Sequence, residues 1–143
     1  MTIARLIADH SGEVWSCNAD ATVSEAVELL ATKRIGALPV RDGAQDVAGI
    51  FSERDVLYSL QKHGPAALEM TVREVMTSPA ITTQPGTSVL EALALMTRRR
   101  MRHLPVVENG RMIGFVSIGD LVKYRIDHIE AEASALRDYI QMA

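Results

Sequence analysis

Apolar residues recur along this chain at spacings that predict two matched amphipathic helices. After Thr22 and after Ser88 they return every three or four positions, as on one face of a helix. They are Val23, Ala26, Val27 and Leu30 in the first segment and Val89, Leu93 and Met96 in the second. A glutamate follows three positions after each hydroxyl residue, as Glu25 and Glu91. Because a hydroxyl and a carboxylate at this spacing form a capping box, the helices are expected to begin directly after Thr22 and Ser88.

Each predicted helix is followed by the same short pattern of apolar and polar positions. The pattern reads Leu-Pro-Val, a turn, a glycine that opens an apolar run, and then Ser-x-x-Asp. One copy occupies Lys33–Val56 and the other Arg100–Leu121. The copies register 66 positions apart before the turn and 65 after it, which aligns Gly49 with Gly114, Ser52 with Ser117, and Asp55 with Asp120. A fixed period of this length predicts a duplicated supersecondary unit.

This duplication predicts an α+β fold made of two β-α-β-β-α repeats. Extended segments at 14–17 and 80–83 would open the repeats, and Leu-Pro-Val would form the first strand of each hairpin. One repeat alone has too little apolar surface to bury, so we expect the two to pack as one body with pseudo-two-fold symmetry. A short helix is predicted at Ile3–Ala8. The predicted boundaries are 10–62 for repeat 1, 63–79 for a linker with a short helix capped by Thr71 and Glu74, 80–125 for repeat 2, and 126–143 for a C-terminal helical extension.

The predicted core is aliphatic, since aromatic residues make up only 4% of the chain. Apolar residues at 48% and charged residues at 23% are typical of a folded domain. The positions expected inside are Val23, Ala26, Leu29, Leu38, Val40, Ile50, Val89, Ala92, Leu95, Leu104, Val106, Ile113 and Val116.

Charge and hydropathy exclude two broad classes of partner. A net charge of -3 argues against a nucleic-acid binder, which normally carries a basic face. No apolar run reaches the ~18 residues of a membrane span, and the first ten residues lack the basic and apolar segments of a signal peptide. We therefore expect a cytoplasmic protein with no nucleic acid and no membrane among its partners.

The repeated Ser-x-x-Asp has two interpretations. Serine at a helix start with an acid three residues later is a capping box, which stabilises the helix by about 1 kcal/mol. Alternatively, the serine and the free backbone N–H groups of the helix start bind a phosphate, and the aspartate holds a ribose diol. Both pairs, Ser52 with Asp55 and Ser117 with Asp120, fit either interpretation.

A basic cluster precedes the second Leu-Pro-Val. Lys33, Arg98 and Arg99 are explained by the helix macrodipole, which favours cations at a C-terminal end. Arg102 and His103 lie past the predicted helix, where a phosphate contact is plausible, and His103 fits a half-buried packing role equally well.

The chain shows no arrangement typical of an enzyme. Its histidines (10, 63, 103 and 128) have no metal-ligand spacing with one another or with the single cysteine, Cys17. No glycine-rich phosphate loop or nucleophile elbow is present. Cys17 follows an apolar stretch and is expected to be a core residue. An enzyme that uses Cys17 or His103 is disfavoured, since no base or orienting partner is identifiable.

The segment LPVVENGRMIGFVSIGD resembles the signature of CBS domains, named after cystathionine β-synthase. The signature occurs twice in register over roughly residues 10–125, so the chain is similar to stand-alone tandem CBS proteins of bacteria. The resemblance implies a regulatory module without covalent cofactor or metal, which senses AMP, ATP, NAD(H) or S-adenosylmethionine in clefts between the repeats. AMP is the favoured ligand, and the module would signal by a change of shape to an unknown downstream protein.

The resemblance also implies roles for particular residues. In the second cleft Asp120 would hold the ribose and Ser117 the phosphate. Ile81, Thr82 and Met101 would border adenine there, and Arg102 and His103 would reach phosphate. The matching positions of the first cleft are Trp15, Ser16, Ile35, Ser52, Arg54 and Asp55. Gly36 and Ala37 stand where the second repeat has Arg102 and His103, so the second cleft is expected to bind more tightly.

The C-terminal segment carries a heptad pattern. Its apolar positions are spaced alternately four and three residues apart, as Val122, Ile126, Ile129, Ala133, Leu136 and Ile140. Either this helix folds back on its own module, or it crosses a two-fold axis and clamps a homodimer. We predict the homodimer. A ligand-free dimerisation module, in which the Ser-x-x-Asp pairs are caps only, is the rival to the sensor.

Overall fold

The computed structural model of the chain describes residues 1–9 and 13–142. The predicted α+β architecture is confirmed, with two β-α-β-β-α repeats flanked by a short N-terminal helix and a long C-terminal helix. The first part of the chain runs α1 (Ile3–Asp9), β1 (Cys17–Asn18), α2 (Val23–Lys33), β2 (Ala37–Asp42), β3 (Gln45–Ser52) and α3 (Glu53–His63). A 3-10 segment (Gly64–Glu69) and α4 (Val72–Val75) connect it to α5 (Val89–Arg99), β4 (His103–Glu108), β5 (Arg111–Ser117) and α6 (Ile118–Met142).

The two sheets differ at the leading strand. In the first repeat β1 pairs in parallel with β2, and β2 pairs antiparallel with β3. In the second repeat β4 and β5 form an antiparallel pair, and the predicted strand at 80–83 is reduced to one parallel bridge between Thr83 and Val106. The predicted strand at 14–17 is likewise regular only from Cys17 onward.

The predicted capping box forms in full at the start of α2 and only in part at the start of α5. Thr22 and Glu25 form a full capping box, and Ser88 Oγ accepts a hydrogen bond from the Glu91 amide at 3.1 Å. The short linker helix forms at α4, but the Thr71 side chain makes no capping hydrogen bond, so that part of the prediction is wrong.

Each repeat has its own apolar core, as expected from the duplicated pattern. Leu29 and Leu95 are half-buried and pack against these cores, and Ile50 is half-buried as well. Ile113 was expected inside, but it is 41% exposed because its side chain lies on the face of β5 turned toward the space between the repeats. The remaining predicted core residues are buried: Val23, Ala26, Leu38, Val40, Val89, Ala92, Leu104, Val106 and Val116.

The helix that precedes each repeat packs on the other repeat. Ile3 and Leu6 of α1 belong to the core of the second repeat, and Thr2 forms a β-bridge with Ser88. Val72 of α4 belongs to the core of the first repeat. Thr71, just before it, forms the corresponding bridge with Thr22. This exchange ties the two repeats into one body.

The motif glycines make room for the exchanged segments. A Cβ on Gly49 would lie 2.7 Å from the Thr77 carbonyl oxygen and 2.8 Å from Met76 Sδ. A Cβ on Gly114 would lie 2.9 Å from Ile7 Cδ1 of α1. These three distances are too short for a Cβ atom, so glycine at this position permits the close approach of the preceding element.

The two glycines should differ in their response to alanine. Gly49→Ala is expected to lower the free energy of unfolding by about 1–3 kcal/mol, since the Thr77 backbone must move. Gly114→Ala should cost less because only the flexible end of Ile7 must shift. Urea unfolding of both variants measures the difference; a larger loss for Gly114→Ala would contradict this account of the packing.

The C-terminal helix packs on the second repeat through Leu121 and Tyr124 and is exposed from Ile126 onward. Of the 25 residues of α6, only Leu121 is buried. The predicted apolar stripe is open along its length, with Ile126 49% and Leu136 60% exposed. The described part of the chain therefore does not fold back to cover this helix. Within residues 1–9 and 13–142, no helix combines the length and hydropathy needed to cross a bilayer.

Candidate functional site

Two clefts lie between the repeats, and each takes residues from both. The first, called the Asp120 cleft, has a volume of about 480 Å³. On one side lie Ser117 and Asp120 at the start of α6, together with part of β5. On the other side lie the segment before β1 and the end of α2, represented by Trp15 and Ile35. Leu6 of α1 also contributes to its wall.

The second cleft, called the Asp55 cleft, has the reciprocal construction. Its volume is about 300 Å³. The start of α3 supplies Asp55 from the first repeat, and the segment before α5 supplies Ile81 from the second. The connection from α5 to β4 lines this cleft as well. The residues predicted for a ligand site that line this cleft are Ser52, Arg54, Asp55, Ile81, Met101, Arg102 and His103.

The structure groups the predicted site residues differently from the sequence-based assignment. Ile81, Met101 and Arg102 were assigned to the same cleft as Asp120, but they line the Asp55 cleft. Trp15 and Ile35 were assigned with Asp55, but they line the Asp120 cleft. The reason is the facing arrangement of the repeats, which sets the leading segment of one beside the second helix of the other.

Two predicted residues line neither cleft. Ser16 is half-buried and Thr82 is exposed, and both lie next to lining residues on an extended segment whose side chains alternate in direction. Their assignment to adenine contacts is not supported by this arrangement.

Ser117 and Asp120 form a reciprocal cap at the start of α6. The Ser117 amide donates to Asp120 Oδ2 at 2.9 Å, and the Asp120 amide donates to Ser117 Oγ at 3.1 Å. The capping interpretation of the motif is therefore correct here. No hydrogen bond within residues 1–9 and 13–142 uses Asp120 Oδ1, so this oxygen is available to a ligand hydroxyl.

Asp55 is engaged more completely than Asp120. Its Oδ2 accepts from the Ser52 amide at 2.8 Å and from Ser52 Oγ at 3.2 Å. Its Oδ1 accepts from Thr77 Oγ1 at 3.0 Å. Thr77 lies in the linker, outside the repeated frame, and sequence comparison of the two repeats gives no signal for this contact. A ribose hydroxyl at Asp55 would have to compete with Thr77.

His103 lies between the two clefts and lines both of them. Its ring stacks on Phe115, with centroids 5.6 Å apart. Burial, and then the neighbouring Arg102 guanidinium, lower the pKa of His103 below its usual value, while Asp120 and Glu53 act in the opposite direction. His103 is thus a half-buried packing residue that also lines the clefts where a ligand would lie.

Trp15 is the only tryptophan of the chain and lies in the wall of the Asp120 cleft. The Lys33 ammonium sits 4.0 Å from the centroid of its ring, in a cation–π contact. Trp15 therefore provides a fluorescence signal that belongs to one cleft alone.

One arginine of the Asp55 cleft had another interpretation in the sequence analysis. Arg99 was explained by the helix dipole, yet it lines this cleft together with Arg100 and Arg102. Arg54 reaches them from the other repeat, and its Nη1 donates to the Arg100 carbonyl oxygen at 2.9 Å. The run of arginines before the second Leu-Pro-Val was the sequence signal for a basic cleft. Only Arg102 of this run was predicted to be a ligand residue, whereas Arg99 and Arg100 line the cleft as well.

The described residues contain no group of three or more histidine, cysteine or acidic side chains placed to hold a metal ion. Burial raises the pKa of the Cys17 thiol to about 11, so the thiol is protonated at neutral pH and is a poor nucleophile.

Comparison with known proteins decides the family. The family model described as the CBS domain matches this chain twice, at residues 7–62 and 72–127. The chain belongs to the CBS domain family. Its two repeats are thus a tandem pair of CBS domains.

Named relatives agree with this assignment. The mitochondrial CBS domain-containing protein CBSX3 of Arabidopsis thaliana is 40% identical over 132 residues, which cover 90% of this chain and 64% of CBSX3. The crystal structure of the CBS-domain containing protein ATU1752 from Agrobacterium tumefaciens superposes with a TM-score of 0.82 at 35% identity, covering 87% of this chain and 92% of the other.

A further solved structure is a complex with a ligand. The structure of CBSX2 in complex with AMP matches with a TM-score of 0.71 and 28% identity, covering 80% of this CBS pair and 89% of CBSX2. The chain thus spans about two thirds of CBSX3 and most of the solved CBS proteins that it resembles.

Proposed function

We propose that this CBS pair is a regulatory module that binds an adenine nucleotide, with AMP as the favoured ligand and ATP or NAD(H) as alternatives. It does not catalyse a reaction. The observation that carries the proposal is the construction of the two clefts. In each cleft the Ser-x-x-Asp helix start of one repeat lies across from the leading segment of the other repeat.

The chemistry of the clefts suits an adenosine compound. A free carboxylate oxygen such as Asp120 Oδ1 accepts hydrogen bonds from a ribose diol. Apolar side chains, Trp15 and Ile35 in one cleft and Ile81 and Met101 in the other, offer flat or aliphatic surfaces to adenine. The described binding of AMP by CBSX2, a relative of the same fold, supports the same ligand class.

A ligand in either cleft would touch both repeats at once. Binding would therefore favour one arrangement of the repeats over others, and a partner protein that recognises this arrangement would receive the signal. His103 lies in both clefts, which gives the two sites a shared wall.

The test is a calorimetric titration with AMP, ATP, NADH and S-adenosylmethionine, accompanied by thermal unfolding with each compound. We expect at least one compound to bind, and to raise stability by about 2.7 kcal/mol at 100 times its Kd. Guanosine monophosphate serves as the matched control for base recognition. Absence of heat and of stabilisation with all four compounds would contradict the proposal.

A second candidate function is a ligand-free dimerisation module. The observation in its favour is that both Ser-x-x-Asp motifs make the hydrogen bonds of a helix cap without any ligand. The same titration separates the candidates, because a purely structural module would show no adenylate binding and an unchanged dimer.

We further propose that the module is a homodimer with α6 at the interface. The open stripe on α6 repeats with heptad spacing, which is typical of helices that pair along a seam. Leu57 on α3 and Val122 on α6 occupy equivalent positions in the two repeats, and both are exposed. Pairing with a second copy would bury exposed apolar side chains of this kind.

A further inference from the structure

The Asp55 cleft holds an unusual concentration of positive charge. Four arginines line it, against two carboxylates. They are Arg54, Arg99, Arg100 and Arg102, opposed by Glu53 and Asp55. Guanidinium groups bind phosphate oxygens through paired N–H donors, and several together suit an anion that carries more than one negative charge.

Some of this charge is fixed in place across the repeats. Arg54 comes from α3 of the first repeat and donates to the Arg100 carbonyl oxygen of the second. Arg100 itself ends α5 with a left-handed backbone (φ 53°), which turns the chain into the cleft wall. Arginine residues thus line this cleft from both repeats.

The Asp120 cleft has a different charge. Among the described residues that line it, Arg34 is the only arginine or lysine, and Glu13 and Asp120 oppose it. The cleft is also larger, at about 480 Å³ against about 300 Å³.

The two aspartates also differ in the hydrogen bonds that they already make within the protein. Asp120 keeps Oδ1 outside any hydrogen bond of the described residues, whereas both oxygens of Asp55 are engaged by Ser52 and Thr77. Recognition of ribose is therefore easier in the Asp120 cleft, and recognition in the Asp55 cleft must depend more on phosphate.

We infer that the two clefts are specialised, with the Asp55 cleft taking a polyphosphate tail such as that of ADP or ATP, and the Asp120 cleft taking an adenosine compound with a shorter and less charged tail, such as AMP or adenosine. This inference rests on the proposed function and assigns a ligand class to each cleft. It also reverses the sequence-based expectation that Arg102 serves the same ligand as Asp120, whereas His103 lines both clefts.

The experiment compares adenosine, AMP, ADP and ATP by calorimetry on the wild-type chain and on Arg99→Gln/Arg102→Gln. A charge-matched control is Arg98→Gln/Arg111→Gln, since both of those arginines are exposed and line neither cleft. The double variant is expected to bind ATP at least tenfold more weakly and adenosine less than threefold more weakly. The control should lose less than threefold for either ligand, and thermal unfolding verifies that both variants are folded.

Trp15 fluorescence supplies the second readout because it reports on the Asp120 cleft. The response of Trp15 to adenosine should be unchanged in Arg99→Gln/Arg102→Gln. Equal losses for adenosine and ATP, or an equal loss of ATP affinity in the control, would overturn the specialisation while leaving adenylate binding intact. Failure of all four compounds to bind the wild-type chain would instead overturn the proposed function, and the specialisation with it.

Discussion

A chain that stops after Tyr124 is expected to remain folded and to lose its ability to dimerise. The last buried residue, Leu121, is retained, so both repeat cores stay complete. The deletion removes most of the exposed stripe, including Ile126, Ile129 and Leu136. Each large aliphatic side chain contributes about 1.5–3 kcal/mol when fully buried. We therefore expect the dimer dissociation constant to rise at least ~100-fold, which is about 2.7 kcal/mol.

Light scattering at micromolar concentration measures the change, and circular dichroism verifies the fold. A full-length control separates the stripe from the length of the helix. Ile129→Glu/Leu136→Glu places charge on the stripe and should also give monomers, while Glu130→Gln/Arg137→Gln alters other positions of α6 and should leave the dimer intact. A truncated chain that is still fully dimeric would show that α6 does not hold the two copies together.

Asp120→Ala is expected to weaken adenylate binding in its cleft by tenfold or more. The substitution removes a carboxylate that would accept charge-assisted hydrogen bonds, each worth roughly 1.5–3 kcal/mol, from the ribose. It also removes one of the two hydrogen bonds of the reciprocal cap of α6, which should lower the free energy of unfolding by about 1 kcal/mol. Calorimetry gives the affinity, and urea unfolding gives the stability.

Ser88→Ala is the matched control for the loss of a cap. Ser88 caps α5 through the Glu91 amide and lines neither cleft. It should cost a similar amount of stability without changing affinity. If Asp120→Ala and Ser88→Ala both leave affinity unchanged, capping is the whole role of Asp120.

Much of the fold follows from local patterns in the sequence. The spacing of Val23, Ala26 and Leu30 places one face of α2 in the core, and the capping residues mark where the helices begin. The offset between the two copies then predicts where the corresponding elements of the second repeat lie. These features are local, depending on residues a few positions apart, and for that reason they can be read without a structure.

The pairing of residues across the clefts could not be derived in the same way. The repeat pattern aligns Trp15 with Ile81, but it does not show which helix start each of them faces. That depends on how the repeats pack, and on the exchange of α1 and α4 between them. Ile113 illustrates the same limit, because an apolar side chain on a strand that borders a cleft suits a ligand site as well as a core.

The contact of Thr77 with Asp55 could not be predicted from the sequence either. Thr77 lies in the linker and has no counterpart in the repeated frame. Its position depends on the antiparallel bridge between Thr77 and Ile50, which brings the linker against β3. The difference in hydrogen bonding between Asp55 and Asp120 therefore comes in part from a residue outside the motif.

The central claim is that each cleft joins the leading segment of one repeat to the Ser-x-x-Asp motif of the other. Titration of AMP followed by Trp15 fluorescence tests it most directly, with wild type, Asp120→Ala and Asp55→Ala compared under the same conditions. Trp15 belongs to the first repeat and Asp120 to the second, and both line the same cleft. The account predicts a saturable change in wild type and in Asp55→Ala that is lost or shifted at least tenfold in Asp120→Ala. A response that is abolished by Asp55→Ala and preserved in Asp120→Ala would contradict it.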